Sequence, residues 1–311
     1  MGKIAFVFPG QGSQSVGMGK DLYETHATAK QLFDRADAAL GFKLSDLIFE
    51  GPEQDLKVTT NTQPALLTTS IACLEAFKAA GITPDYVAGH SLGEYSALVA
   101  AGVLSFEDAV RTVRARGEFM EQAVPGGLGA MAAVLGAGRE ALAELCTAIS
   151  RDVGVVELAN VNCPGQIVVS GSQEGVAAVA ERGKEAGAKR VIPLDVSGPF
   201  HSSLMKPASA RLADVLASVE MTDASIPVIA NVNARPVSQP AEIRELLVQQ
   251  VYSPVLWEDT VAWLIAEGVD TFIELGSGSV LAGLIKKVDR NVRTVSIGTL
   301  EAVEKFLQEG A

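Results

Sequence analysis

Among the residues able to do chemistry, the pentapeptide Gly89-His-Ser-Leu-Gly93 comes first. It fits G-x-S-x-G, the pattern that sets a serine in a sharp, strained turn between a strand and a helix. The flanking glycines are needed because bulkier neighbours would clash in such a turn. Asp85–Ala88 reads as the strand before it and Leu92–Ala101 as the helix after it, with Gly102 as C-cap. The helix start aims backbone N–H groups at any oxyanion that forms beside Ser91. Ser91 is therefore a candidate nucleophile that would carry an acyl group as a covalent ester.

A serine hydroxyl needs a base, and the usual base is histidine. The chain offers only His26, His90 and His201. His90 adjoins Ser91, so its side chain leaves the turn in another direction and suits support of the elbow. His26 falls in a polar stretch, Tyr23-Glu-Thr-His26, and reads as a surface residue of an early helix. His201 follows Gly198-Pro-Phe200 in a loop that leads into a helix from about Ser203. A helix N-terminus disfavours imidazolium, which leaves the neutral ring that a general base requires. His201 is the expected base. No aspartate identifies itself as the group that orients it, so either an unplaced acid or a backbone carbonyl does so.

Arg116 is the third candidate. On a helix from Ala109 to Val124, Ala109, Val110, Val113, Gly117, Met120 and Val124 form one apolar stripe at about 100° per residue. Arg111, Arg114, Glu118 and Glu121 fall opposite, whereas Arg116 lies about 60° from Val113, on the flank of the stripe. A guanidinium carried inward is shaped for a carboxylate. By geometry alone it equally suits a stem that snorkels at the stripe edge or a pair with an internal Glu. The loop Pro9-Gly-Gln-Gly-Ser-Gln14 matches neither a P-loop nor G-x-G-x-x-G, and it could place a second oxyanion donor. Gly276-Ser-Gly278 lacks the third glycine of a dinucleotide site. No cofactor is expected, and with scattered histidines and no HExxH, no metal.

The elements that must position these residues alternate between strand-like and helical runs, which predicts an α/β fold. Ile4–Phe8 is a strand, Ala65–Ala80 a helix, and Ser105-Phe-Glu-Asp108 caps the helix that carries Arg116. After Pro125-Gly-Gly127 the order becomes βαββαβ: Leu128–Leu135, Arg139–Ser150, Val155–Val161, Ile167–Gly171, Glu174–Ala186 and Arg190–Val196. That order predicts a small ferredoxin-like subdomain at 127–197, inserted in a large α/β-hydrolase-like subdomain made of 1–126 and 198–311. The large part resumes with strand Val228–Val232, helix Ala241–Val251, strand Thr271–Leu275 and helix Val280–Val288.

The 311 residues are 48% hydrophobic and carry a net charge of −12, which makes nucleic acid an unexpected partner. The N-terminal run has only five apolar residues before Pro9, too few for a signal sequence, and no run could span a bilayer, so no membrane association is expected. Cys73, Cys146 and Cys163 are odd in number and show no CxxC spacing, as expected for reduced residues of a cytoplasmic protein. Two basic clusters, Lys189-Arg190 and Lys286-Lys287 with Arg290, could meet an acidic partner or merely face solvent.

Taken together, Phe8–Gln14, Thr62-Gln-Pro-Ala65, Gly89–Tyr95, Arg116, Asn160–Gly165, Gly198–Ser202 and Gly276–Lys287 resemble the malonyl-CoA:acyl-carrier-protein transacylases of fatty-acid synthesis and the related acyltransferase domains of polyketide synthases. The motifs appear in family order along nearly the whole chain. The resemblance implies ping-pong transfer of malonyl from malonyl-CoA to the thiol of an acyl carrier protein, with coenzyme A as substrate rather than cofactor. It implies Ser91 and His201 as the catalytic pair, the N–H groups of Gln11 and Leu92 as the oxyanion hole, and the backbone near Gln250 as the group that steadies the base. It also implies Arg116 as the grip on the free carboxylate, Gln63 as a further substrate-binding residue, and Phe200 as a sign of malonyl selectivity. Lys286 and Lys287 are the expected docking patch for an acidic carrier, and a free-standing monomer is the expected species. A serine esterase with water as acceptor would share the acyl-enzyme step, but an inward cation serves no purpose in it.

Overall fold

The computed structural model describes residues 2–309. Its strands in chain order are β1 (Lys3–Phe8), β2 (Tyr86–Gly89), β3 (Gly129–Leu135), β4 (Val156–Cys163), β5 (Gln166–Ser172), β6 (Arg190–Pro193), β7 (Val228–Ile229), β8 (Pro236–Val237), β9 (Val255–Leu256), β10 (Val269–Leu275) and β11 (Arg293–Ile297). They form two sheets. The larger runs β11-β10-β1-β2-β7-β8, parallel throughout except for the edge strand β8.

Helices cover both faces of this sheet, and its strands read as near-continuous apolar runs for that reason. In β1, Phe6 and Phe8 enter one core while Ala5 and Val7 enter the other. Strand β10 repeats the division, with Ile273 and Leu275 on the first side and Phe272 on the second. The centre of the sheet is thus fixed between two hydrophobic layers, and the turn that follows β2 rises from a rigid base.

The smaller sheet runs β6-β3-β5-β4-β9. Its first four strands have the ferredoxin-like order, antiparallel throughout, and with the helices Arg139–Asp152 and Gln173–Arg182 they enclose a core around Val134, Leu142, Ile149 and Val169. The fifth strand, β9, comes from far along the chain and pairs parallel to β4 through Asn160 and Val255. Met131, Ala159 and Val168 turn to the opposite face and join the main core. The small sheet is therefore packed on the large one along a seam, and the cleft described below lies in that seam.

Several elements differ from the sequence expectation. The helix that leads to Gly81 begins at Thr59, before Pro64, instead of after it. Proline lacks the N–H that would bond the carbonyl four residues back, and Arg114 Nη1 donates to that Thr60 carbonyl at 3.4 Å instead. The stretch between β1 and this helix holds four short helices, Lys20–Thr25, Ala27–Leu40, Leu44–Glu50 and Glu53–Lys57. His26 is not a surface residue within one helix: it is the N-cap between two, and its Nδ1 accepts from Ala29 N–H at 3.3 Å. Strand β7 is two residues long, so Asn231 stands just beyond its end. Beyond the helix Val280–Val288 the chain adds β11 and a further helix, Leu300–Glu309.

Candidate active site

The elbow follows from steric limits. Ser91 has φ 52° and ψ −107°, a left-handed conformation rare for a residue with a side chain. A Cβ on Gly89 would lie 1.9 Å from the carbonyl oxygen of Gly93, and one on Gly93 would lie 2.1 Å from that of Phe8. No side chain fits at either position. Asn231 holds the turn from outside: its Oδ1 accepts the Ser91 N–H at 2.7 Å, and its Nδ2 donates to the Gly89 carbonyl at 2.7 Å.

His201 Nε2 lies 2.8 Å from Ser91 Oγ, and His201 Nδ1 lies 2.8 Å from the backbone carbonyl of Gln250. The carbonyl can only accept, so Nδ1 carries the proton and Nε2 faces the serine as acceptor. No acid is needed to set the tautomer. His201 is also held at positive φ, 59°, and is 4% exposed. Burial pushes its pKa down to about 3, and the neighbouring Arg116 charge acts in the same direction. The expected cause was a helix N-terminus; instead a 3-10 turn, Ser203–Met205, separates His201 from the helix Lys206–Ser218, and desolvation with a nearby cation keeps the ring neutral.

Arg116 reaches the same point from the helix Phe106–Gln122. Gly117 on this helix touches the helix Thr59–Phe77, where an added Cβ would lie 2.8 Å from Thr60 Cα. The close approach brings Gln63 against the guanidinium. Arg116 is 1% exposed, so it does not snorkel. Its Nη1 donates to Gln63 Oε1 at 2.7 Å, and its Nη2 donates to Gln250 Oε1 at 2.9 Å and to Ser91 Oγ at 3.1 Å. The Tyr95 ring lies 5.6 Å from the guanidinium carbon. No carboxylate among the described residues bonds it, and Nε has no partner. A buried cation that touches only neutral groups is costly unless an anion joins it.

These groups meet in a cleft of about 110 Å³ lined by Ser91, His201, Arg116, Gln63, Met120 and Phe200, among others. The N–H groups of Gln11 and Leu92, both at the cleft, enter none of the hydrogen bonds within the described residues. A wider cavity of about 510 Å³ adjoins it through Gln11, His90, Asn160, Leu194 and Val196, and runs between the two sheets to the helix Val280–Val288. The arrangement can take a short acyl group with an anionic end, attack its carbonyl from Ser91, and admit a long, thin leaving group through the adjoining cavity.

The family model of the acyl transferase domain matches residues 5–304. The chain belongs to the acyl transferase family. It is 59% identical over 308 residues to the malonyl CoA-acyl carrier protein transacylase of Bacillus subtilis, which covers 99% of this chain and 97% of that one. Among solved structures, an acyl carrier protein S-malonyltransferase from Vibrio cholerae superposes with a TM-score of 0.94 at 45% identity, over 97% of this chain and 99% of the other. A malonyl-transacylase solved in complex with a type II polyketide acyl-carrier protein superposes with a TM-score of 0.95 at 40% identity, over 99% and 100%.

The other singled-out residues of this acyl transferase divide by position. His90 is half-buried beside Ser91, and its Nε2 lies 2.9 Å from Asn162 Oδ1 on β4. Lys286 donates to the carbonyls of Arg290 and Val292 and so closes the end of its own helix, while Lys287 is exposed and reaches Gln166 Oε1 at 2.9 Å across the seam. The three cysteines are free and buried. Sequence reasoning missed Asn231, Glu94 and Asn162. Glu94 left one trace, as the sole charge in the mostly apolar helix Leu92–Ala100. Asn231 likewise stands out as a polar residue after an apolar strand. No helix among the described residues is long and apolar enough to cross a membrane.

Proposed function

We propose that this chain transfers the malonyl group from malonyl-CoA to the phosphopantetheine thiol of an acyl carrier protein, through an ester on Ser91, and so supplies extender units for fatty-acid synthesis. The observation that carries this reading is Arg116, a buried guanidinium 3.1 Å from Ser91 Oγ that no carboxylate among the described residues bonds. Malonyl brings that carboxylate. The names of the relatives, malonyl transacylases of acyl carrier proteins, support the same donor and acceptor.

In the first half-reaction His201 Nε2 takes the proton of Ser91 Oγ as the oxygen attacks the thioester carbonyl. The N–H groups of Gln11 and Leu92 receive the oxyanion, and Arg116 holds the distal carboxylate together with Gln63. Collapse of the tetrahedral intermediate breaks the C–S bond, and the imidazolium returns its proton to the departing thiolate of coenzyme A. In the second half-reaction His201 takes the proton of the carrier thiol. The sulfur attacks the malonyl ester, and Ser91 leaves with that proton. The Gln250 carbonyl, bonded to Nδ1–H, steadies the imidazolium formed in each half. Phe200 and Met120 line the cleft that takes the short acyl group, and Phe200 favours malonyl over branched donors. Coenzyme A enters as part of the substrate, and no step calls for a cofactor.

Lys287, whose amine bonds the side chain of Gln166 in the wall of the adjoining cavity, is the stronger half of the carrier-docking patch; Lys286 contributes charge from a fixed position. We place the reaction in the cytoplasm, where the unpaired thiols would stay reduced.

The deciding experiment incubates the protein with malonyl-CoA and a carrier protein bearing its phosphopantetheine. Malonyl-carrier should form, and intact-mass spectra without carrier should show one malonyl adduct that Ser91→Ala abolishes. Release of free malonate in place of malonyl-carrier would instead make the protein a thioesterase.

A further inference from the structure

Gln250 joins every charged group of the site. Its main-chain carbonyl faces His201 Nδ1, and its side-chain Oε1 accepts from Arg116 Nη2 at 2.9 Å. Its Nε2 donates to Glu94 Oε2 at 2.8 Å and to the Ser91 carbonyl at 3.0 Å. The amide has one orientation that serves both ends. A flip would set its NH2 against the guanidinium and its oxygen against the carboxylate.

Glu94 has no role in the chemistry described above, yet it is 2% exposed and ionisable at the centre of the site. It sits in the first turn of the elbow helix, where the helix dipole favours an anion, and its Oε2 also accepts the Asn231 N–H at 3.1 Å. No lysine or arginine among the described residues bonds it. The cation whose charge it feels is Arg116, reached across the Gln250 amide.

We propose that Glu94 is a positioning residue of the acyl transfer. By holding the Nε2 end of Gln250 it presents Oε1 to Arg116 and the main-chain carbonyl to His201, and its charge, one amide away, offsets part of the Arg116 charge that binds the acyl donor's carboxylate. Two consequences follow. The grip on Gln250 acts on every donor, because each needs His201 in place. The charge acts only on donors that carry a carboxylate. Burial pushes the Glu94 pKa up to about 7, so its charge is fully present only above that value and the test belongs at about pH 8.

The inference rests on the malonyl reading for its second consequence. The experiment measures kcat and KM for malonyl-CoA and acetyl-CoA with wild-type protein, Glu94→Ala and Glu94→Gln, all with the same carrier. Glu94→Ala should lower kcat roughly 10- to 100-fold with both donors, the scale of a displaced catalytic group. Glu94→Gln keeps an acceptor for Gln250 and should restore kcat to near wild type. It should also lower the malonyl-CoA KM severalfold and leave the acetyl-CoA KM unchanged. Glu94→Gln is the arm that decides if the alanine variant does not fold. Equal KM changes for the two donors, a Glu94→Gln kcat as low as that of Glu94→Ala, or wild-type constants in Glu94→Gln would each overturn the proposal. Wild-type protein that fails with malonyl-CoA but acetylates Ser91 would overturn the malonyl reading instead, and the kcat arm would still judge Glu94 with acetyl-CoA.

Discussion

Replacing Arg116 by alanine separates the group that selects the substrate from the groups that do the chemistry. The guanidinium is buried, and its bonds in the free protein go to Gln63, Gln250 and Ser91. With a malonyl group on Ser91, its remaining N–H groups would meet the distal carboxylate away from water. Breaking such a buried pair by removal of one partner costs about 3–5 kcal/mol. At about 1.4 kcal/mol per tenfold, malonyl transfer should fall by roughly 100- to 4,000-fold in kcat/KM. Acetyl transfer lacks the carboxylate and should lose only what the disturbed Gln63 and Gln250 side chains cost, about tenfold or less from a lost neutral bond. The ratio of the two kcat/KM values cancels the shared damage, so it should drop by at least about tenfold. Arg116→Lys keeps the charge without the planar fork and should fall between. Competing malonyl-CoA and acetyl-CoA for limiting carrier, with products separated by mass, measures the ratio directly. An unchanged ratio in Arg116→Ala would refute the assignment and make Arg116 a structural residue.

Gly93→Ala would drive a Cβ into the Phe8 carbonyl; it should lower the melting temperature and abolish malonyl adduct formation, whereas a variant that still acylates at the wild-type rate would show that the elbow is not confined as described. Because the His201 pKa is held down to about 3 against an ordinary 6.5, kcat for acetylation should stay level from about pH 7 to about pH 5. A falling limb centred near 6.5 would mean that the ring is not buried during turnover. The same shift has a stability consequence. Between these two pKa values the unfolded chain binds a proton on His201 that the folded chain refuses, so stability is full above about 6.5 and is lost as pH falls toward 3. Glu94 acts with the opposite sign: its pKa is raised to about 7 from 4.5, so its contribution is full below about 4.5 and is lost as pH rises through 7. His201→Gln should therefore lose less stability than wild type between pH 7 and pH 4 in denaturant titrations. Lys287→Glu should raise the carrier KM in a salt-dependent way without changing the melting temperature. Lys286→Glu should lower the melting temperature, because it removes the bonds to the Arg290 and Val292 carbonyls.

What the sequence determined by itself was whatever is encoded by neighbours along the chain. The elbow at Ser91 is local: two glycines, a strand before and a helix after are enough to place it, and sterics leave no other residue at either flank. The βαββαβ order of the small sheet is likewise written in consecutive elements, and so is the capped helix that carries Arg116. Tertiary structure decided everything that depends on two distant segments meeting. The periodicity of the Arg116 helix left that side chain on the edge of a stripe; only the contact of Gly117 with Thr60 carries it inward to Gln63 and Ser91. The orienting group of His201 could not be read, because a backbone carbonyl has no residue identity to recognise. The strand β9 is too short to show periodicity and exists only because β4 offers it a partner. Asn231 and Glu94 were hidden for the same reason. Each is an ordinary polar residue in its own segment. Asn231 acquires a role only when its segment is folded against Ser91 and Gly89 of the elbow, and Glu94 only when Gln250, 156 positions further along the chain, is folded against it.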